Sequence, residues 1–218
     1  YIEKLSKISN FESVLPMNTG AEAVETAIKA ARRWGYFTKG IKKNSAEIIV
    51  AEGNFHGRTT TIVGFSSEKE YKKGFGPFAD GFIEAEYCSS NCNCSKVCEN
   101  SIKSIKNAIN KNTCAVIVEP IQGEGGIITP QSGWLKQLRQ LCNESNVLLI
   151  LDEIQSGLGR TGKLFAFEHE DIKPDGLILG KALGGGLLPV SAFLSSKEVM
   201  NHFNPGSHGS TFGGNPLA

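Results

Sequence analysis

Two apolar runs of strand length, each closed by an ionisable side chain, constrain this chain of 218 residues more than any other feature. Leu148-Leu149-Ile150-Leu151 ends at Asp152-Glu153, and Leu177-Ile178-Leu179-Gly180 ends at Lys181, twenty-nine positions after Asp152. Short unbroken aliphatic runs suit strands buried on both faces, as in a parallel sheet. Open α/β sheets keep their ligands at the carboxyl edge, where such strands stop. A carboxylate and an amine are therefore delivered to one edge. With Ala182-Leu183-Gly184-Gly185-Gly186 behind it, the amine is placed to form a Schiff base with a carbonyl cofactor, while the carboxylate can pair with a pyridinium nitrogen. Pyridoxal phosphate needs both.

Two other readings compete for the same residues. An aliphatic strand ending in Asp-Glu also describes the magnesium-binding strand of a P-loop NTPase, and Gly157-Leu158-Gly159-Arg160-Thr161-Gly162-Lys163 has the spacing of a phosphate-cradling loop. That match fails at Leu164, where a hydroxyl should reach the metal, and the glycine loop follows the acidic strand instead of an earlier strand of its own. The second rival is a plain ion pair between Asp152 and Lys181, since a buried charge without a partner costs several kcal/mol.

The rest of the chain alternates helix and strand. Asn18-Thr19-Gly20 caps a helix in which Val24, Ala27, Ile28, Ala31 and Trp34 recur at helical spacing. Its first turn offers unsatisfied N–H groups beside the small residues Gly20 and Ala21, a place where an anion can come close. Glu47 to Ala51 reads as a strand, followed by the turn Gly53 to Arg58 with an aromatic ring and a cation, Phe55 and Arg58. Ser101 to Asn110 carries Ile102, Ile105 and Ile109 at helical spacing, and Cys114 to Val118 is a buried strand ending at Glu119-Pro120. Leu135, Leu138 and Leu141 mark a further helix, and Val190 to Leu194 a last apolar run. The alternation predicts an α/β fold, a mostly parallel sheet covered by helices with right-handed crossovers, in one domain spanning residues 1–218.

Charge and composition narrow the function. Twenty-three basic against 22 acidic residues leave a formal net charge of +1, which gives no reason to expect nucleic acid or an anionic membrane as partner. No apolar stretch is long enough to span a bilayer, and the opening Tyr1-Ile2-Glu3-Lys4 does not have the apolar core of a signal peptide. A cytoplasmic enzyme is expected, or one of the mitochondrial matrix if the parent is eukaryotic. The abrupt start at Tyr1 and end at Ala218 read as an excerpt whose flanking segments lie elsewhere. Of six cysteines, Cys88, Cys92, Cys94 and Cys98 are clustered. They could present four thiolates to zinc or an iron–sulfur cluster, lie as reduced thiols in a polar loop, or close that loop by disulfides in an oxidising compartment. Cys114 and Cys142 sit in apolar patterns as small core residues.

Seven ordered segments then carry a resemblance: Leu15-Pro16-Met17-Asn18-Thr19-Gly20-Ala21-Glu22-Ala23, Asn54-Phe55-His56-Gly57-Arg58-Thr59, Gly74-Phe75-Gly76-Pro77, Glu119-Pro120-Ile121-Gln122-Gly123-Glu124, Asp152-Glu153-Ile154-Gln155, Leu179-Gly180-Lys181-Ala182-Leu183 and Gly206 to Pro216. Over nearly its whole length the chain resembles the class III pyridoxal-phosphate-dependent aminotransferases, and among them most the members that act on ornithine. The resemblance implies the large cofactor domain of a fold-type I enzyme, pyridoxal 5'-phosphate as cofactor, and a homodimer with sites shared between subunits. It implies transfer of the δ-amino group of ornithine to 2-oxoglutarate, with acetylornithine or 4-aminobutyrate as alternative donors. A noncatalytic fragment that binds cofactor or a partner is the alternative of another class.

By the same resemblance Lys181 binds the cofactor carbonyl and shuttles the proton, Asp152 holds the pyridinium nitrogen, and Gln155 bonds the phenolic oxygen. Phe55 stacks on the ring, Gly20 and Ala21 donate N–H bonds to the phosphate, and Ser210 and Thr211 reach the other subunit's phosphate. Arg58 is the candidate for the substrate α-carboxylate, and Glu119 and Glu124 match family carboxylates near the substrate. Two departures stand out: the cysteine-rich stretch, and Gly125 where ornithine-specific members often carry alanine.

Overall fold

Which face of each strand is apolar decides the layering. The computed structural model describes residues 1–89 and 98–218. Its seven strands are β1 (Ser13–Met17), β2 (Glu47–Ala51), β3 (Phe82–Ala85), β4 (Thr113–Val118), β5 (Leu148–Asp152), β6 (Gly176–Leu179) and β7 (Ser191–Ser195). They form one sheet in the order β1-β7-β6-β5-β4-β2-β3. The strands from β6 to β3 pair in parallel, while β7 is antiparallel to both β6 and β1. Residues 180–190, which join β6 to β7, are too few for the crossover of about a dozen or more residues that a parallel return requires.

Every residue of β4, β5 and β6 is buried. Alternate side chains feed two cores. Ile49, Val116, Leu149 and Leu177 pack with Ile105 of the helix Glu99–Ala108 and with Trp134, Leu138 and Leu141 of the helix Trp134–Glu144. Ile48, Val50, Ile117, Ile150 and Ile178 pack on the opposite face with Val24, Ala27, Ile28 and Ala31 of the helix Gly20–Phe37. Helices cover both faces, which is why these strands are continuously apolar. Truncating a side chain such as Ile150, 1% exposed, to alanine costs about 2–5 kcal/mol.

The helix Gly20–Phe37 starts where the sequence places it. Thr19 Oγ1 accepts the Glu22 N–H, and the Glu22 carboxylate accepts the Thr19 N–H at 2.7 Å, so two orphan donors of the first turn are satisfied reciprocally. Two strands carried no clear signal in the sequence. Strand β1 contains Pro16 and lies at one sheet edge, where a missing N–H is tolerated. At the other edge, three of the four residues of β3 are only partly covered or exposed.

Of the three readings open for the cysteine cluster, the structure takes the disulfide for two of its members and sets the metal candidates Cys88 and Cys98 aside. Cys88 and Cys98 are joined in a disulfide with Cα atoms 5.6 Å apart, so neither sulfur is left as a thiolate for zinc or an iron–sulfur cluster. Cys92 and Cys94 lie outside the described residues. Among the described residues no group of His, Cys, Asp and Glu is placed to hold a metal. Cys114 and Cys142 are buried free thiols, and burial pushes each up to about 12, which leaves them unreactive.

Candidate active site

Parallel strands that stop together place their exits in one row. Val118 is in register with Leu151 and Asp152 with Ile178, so Glu119, Asp152 and Lys181 leave the sheet on a single edge. The loop after β2 adds Phe55 and His56, and the first turn of Gly20–Phe37 adds Gly20 and Ala21. Together they line a cavity of ≈ 220 Å³. That is below the roughly 300–1,000 Å³ of drug-sized ligand sites, and it suits one small ring with its substituents better than a dinucleotide.

Asp152, 4% exposed, is held at both oxygens: Oδ1 accepts the Ile154 N–H at 3.0 Å and Oδ2 lies 2.7 Å from His56 Nδ1. This overturns the plain Asp152–Lys181 ion pair, because the carboxylate is taken by His56 and the Lys181 amine donates to Gln155 Oε1. Burial is the largest influence on His56 and works against its cation. The hydrogen bond and charge of Asp152, with the charge of Glu119, outweigh it and raise the imidazole above its ordinary pKa. Glu119 sits beside the pair with Oε2 accepting the Phe55 N–H at 3.0 Å and Oε1 the Gly123 N–H at 3.3 Å. Burial pushes its carboxyl above the usual range, against the pull of His56 and those two N–H groups.

Lys181 opens a short 3₁₀ turn, Lys181–Gly184, at φ 39°. A non-glycine residue in that region costs on the order of 1–3 kcal/mol and persists where surrounding structure over-determines it. Gly123 and Gly20 show how tightly the walls approach. A Cβ on Gly123 would stand 2.3 Å from Gln155 Nε2, and one on Gly20 would stand 2.9 Å from Ile154 Cδ1.

The remaining expected residues fall in three places. Arg58 lies at the rim, its guanidinium carbon 3.5 Å from the centre of the Tyr71 ring and 5.5 Å from that of Phe55. Glu124 is exposed on the turn after Gly123 and does not line the cavity. Ser210 packs on the capping box of its own chain, with Oγ accepting from Asn18 Nδ2 at 2.9 Å and donating to Glu22 Oε1 at 3.2 Å, and Thr211 beside it is exposed. Sequence reasoning passed over His56. Its partner Asp152 is 96 positions away, so no spacing announces the pair. The only signal was a histidine between Phe55 and Gly57 at a strand exit.

A larger cavity of ≈ 490 Å³ opens at the opposite edge of the sheet, near the start of β5. Its charges are already committed: Arg139 and Asp175 pair at 2.7 Å, and Asp175 Oδ2 also accepts the Leu149 N–H.

The smaller cavity thus combines a primary amine, a buried carboxylate held in one orientation, a half-buried aromatic ring and the N–H groups of a helix start. A phosphorylated pyridine aldehyde finds a partner there for each of its functional groups. The family model for aminotransferase class-III matches residues 1–218. The chain belongs to the class III aminotransferases. It is 58% identical over all 218 of its residues to ornithine aminotransferase 2 of Staphylococcus aureus (strain MRSA252), covering 52% of that protein. A crystal structure of the Toxoplasma gondii ornithine aminotransferase, reported with partial occupancy of PLP at its active site, superposes with a TM-score of 0.92 at 43% identity, over 99% of this chain and 48% of that one. The acetylornithine aminotransferase of Elizabethkingia anophelis gives a TM-score of 0.79 at 45% identity, over all of this chain and 48% of that one. This class III aminotransferase chain spans about half the length of the relatives it matches.

Proposed function

We propose that the full-length protein is an ornithine aminotransferase, moving the δ-amino group of ornithine to 2-oxoglutarate to give glutamate 5-semialdehyde and glutamate in two half-reactions. The observation that carries the reading is the meeting of Lys181, Asp152 and the start of the helix Gly20–Phe37 in one cavity, in a chain 58% identical to an ornithine aminotransferase.

Pyridoxal phosphate supplies an electron sink for the carbon that loses its proton. The chain supplies the rest. Lys181 Nζ, held at the rim by Gln155, takes the proton from the amine-bearing carbon of the substrate and returns one in the reverse half-reaction. Asp152 keeps the ring nitrogen protonated, and Gln155 bonds the phenolic oxygen. The N–H groups of Gly20 and Ala21 take the phosphate, helped by the helix dipole. Phe55 covers one face of the ring. Its backbone is held by Glu119, whose oxygens accept the Phe55 and Gly123 N–H groups and keep further lone pairs for a ligand in the cavity that Glu119 lines. Arg58 offers a planar fork to the substrate α-carboxylate, with Glu119 in the cavity wall and Glu124 on the exposed turn beyond it as the carboxylates on the substrate side.

A homodimer in which Ser210 and Thr211 of one subunit approach the other's phosphate belongs to the same reading, with a domain spanning residues 1–218 as its cofactor-binding part. A cytoplasmic or matrix location goes with it. No helix among the described residues is long and apolar enough to cross a membrane. The acetylornithine reading is kept alive by the Elizabethkingia match. Incubating the full-length protein with ornithine, acetylornithine or 4-aminobutyrate, each with 2-oxoglutarate, and measuring glutamate formed decides among them. Ornithine is expected to be used best; a clear preference for either other amine overturns the substrate assignment.

A further inference from the structure

His56 has no part in the chemistry above, yet it is 2% exposed, less than either carboxylate beside it. It leaves β2 on a different loop from Asp152, with β4 lying between their strands in the sheet. The fold therefore brings the two together for a reason that neither strand supplies alone. His56 Nε2 has no hydrogen-bond partner among the described residues, so the contact that anchors the ring is the one from Nδ1 to Asp152 Oδ2 at 2.7 Å.

That contact determines what Asp152 can do. A carboxylate with one oxygen tied to the Ile154 N–H keeps some rotation of the whole group about its bond to Cβ, because terminal torsions of this kind are broad. A second tie to an enclosed ring removes the freedom. The charges also balance in a useful way. Asp152 and Glu119 are the ionisable groups facing His56, and with the imidazole protonated the three together carry one net negative charge. One positive charge in the cavity neutralises it.

We infer that His56 is a positioning residue acting through Asp152: its Nδ1–H fixes the carboxylate at the angle that meets a protonated ring nitrogen, so that the site discriminates a pyridine ring from a benzene ring of the same shape. The inference rests on the cavity being the pyridoxal phosphate site. His56 lines the same cavity, and the role assigned to it is exerted through Asp152.

The test compares binding of pyridoxal phosphate with binding of its 1-deaza analogue, in which a ring CH replaces the nitrogen, by titrating full-length apoprotein and following intrinsic fluorescence. A charge-assisted hydrogen bond is worth about ten- to a hundredfold in binding, so the wild type is expected to prefer the true cofactor by that factor. His56→Asn keeps an N–H where Nδ1 stands and is expected to retain most of the preference. His56→Gln places its amide where Nε2 stands and is expected to lose most of it, with the affinity for the deaza analogue unchanged. Equal preference in the two variants, or equal weakening of both ligands, overturns the inference while leaving the cofactor site in place. Wild-type protein that binds neither compound overturns the cofactor reading and this inference with it. Nitrogen NMR of wild-type apoprotein gives a check that needs no variant: a His56 Nδ1 without a proton is incompatible with the role.

Discussion

Asp152 and Glu153 are adjacent in sequence and are used in opposite directions. The first turns into the cavity toward His56. The second turns away and buries its carboxylate, 1% exposed, against the backbone of the short helix Ala166–Glu170, where Oε2 accepts the Ala166 N–H at 2.7 Å and Oε1 the Phe167 N–H at 2.9 Å. The period of two that puts successive side chains on opposite faces separates a site carboxylate from a structural one.

Asp152→Asn is expected to lower single-turnover transamination by about 10²–10³-fold, the scale of removing one preorganised electrostatic contact. Rapid mixing of the reconstituted full-length variant with ornithine measures this. Near-normal turnover would show that another group protonates the ring.

Glu153 should give the stability a pH slope. Burial raises its carboxyl to about 7, against the two backbone N–H bonds that pull it down. The unfolded chain releases this proton near 4.5 and the native state only near 7, so in that window the native state binds more protons and stability falls as pH rises. Glu153→Gln has no proton to lose. Between about pH 5 and 7.5 its stability should fall less than that of wild type by about 1–3 kcal/mol, as read from urea midpoints of the two apoproteins; parallel slopes would contradict the assignment.

Lys181→Ala is expected to cut activity by more than about 10³-fold, since one amine serves as cofactor anchor and proton carrier. Borohydride reduction of the wild type followed by peptide mass spectrometry should place the phosphopyridoxyl group on Lys181. Finding it on a different lysine refutes the role.

The disulfide closes a loop with a sequence separation of 10, and chain entropy alone assigns such a cross-link about 3 kcal/mol. Gln131 ties it to the loop before the helix Trp134–Glu144, its side chain accepting the Cys98 N–H at 2.8 Å and its own N–H reaching Cys88 Sγ at 3.3 Å. Reduction with a dithiol should therefore lower the unfolding temperature, and Cys88→Ser combined with Cys98→Ser should remove the effect of the reductant. Unchanged melting in both cases would mean that the cross-link does not form in solution. Elemental analysis is expected to find no stoichiometric zinc.

Subunit complementation tests Thr211. If Thr211 serves the partner's phosphate, then mixing inactive Lys181→Ala and Thr211→Val chains yields heterodimers in which one of the two sites is intact, as two-fold symmetry requires. Activity should return to about half the wild-type value per heterodimer. No return after proven subunit exchange confines Thr211 to its own chain, where its neighbour Ser210 already binds Asn18 and Glu22.

Much of this architecture was written in local pattern. Leu148 to Asp152 and Leu177 to Lys181 announced two central strands and the charges at their ends, because strands buried on both faces are continuously apolar and stop where solvent or a ligand begins. Thr19 and Glu22 announced the start of the helix Gly20–Phe37, because a capping box lies within four consecutive residues. The edge strands β1 and β3 escaped notice. Half exposed and, in β1, interrupted by Pro16, they lack the apolar run that marks a buried strand.

The sequence by itself determined the central elements, their alternation and the family resemblance, since each depends on residues near one another in the chain or on ordered motifs. Only the tertiary structure decided the partnerships. Asp152 could have paired with Lys181 and instead holds His56; Glu119 lines the same cavity while its oxygens accept the Phe55 and Gly123 N–H groups; Cys88 bonds Cys98, one of the readings the cluster left open. A charged or reactive side chain is satisfied by whichever group the fold brings within about 3 Å, and that distance is set by packing between elements far apart in sequence.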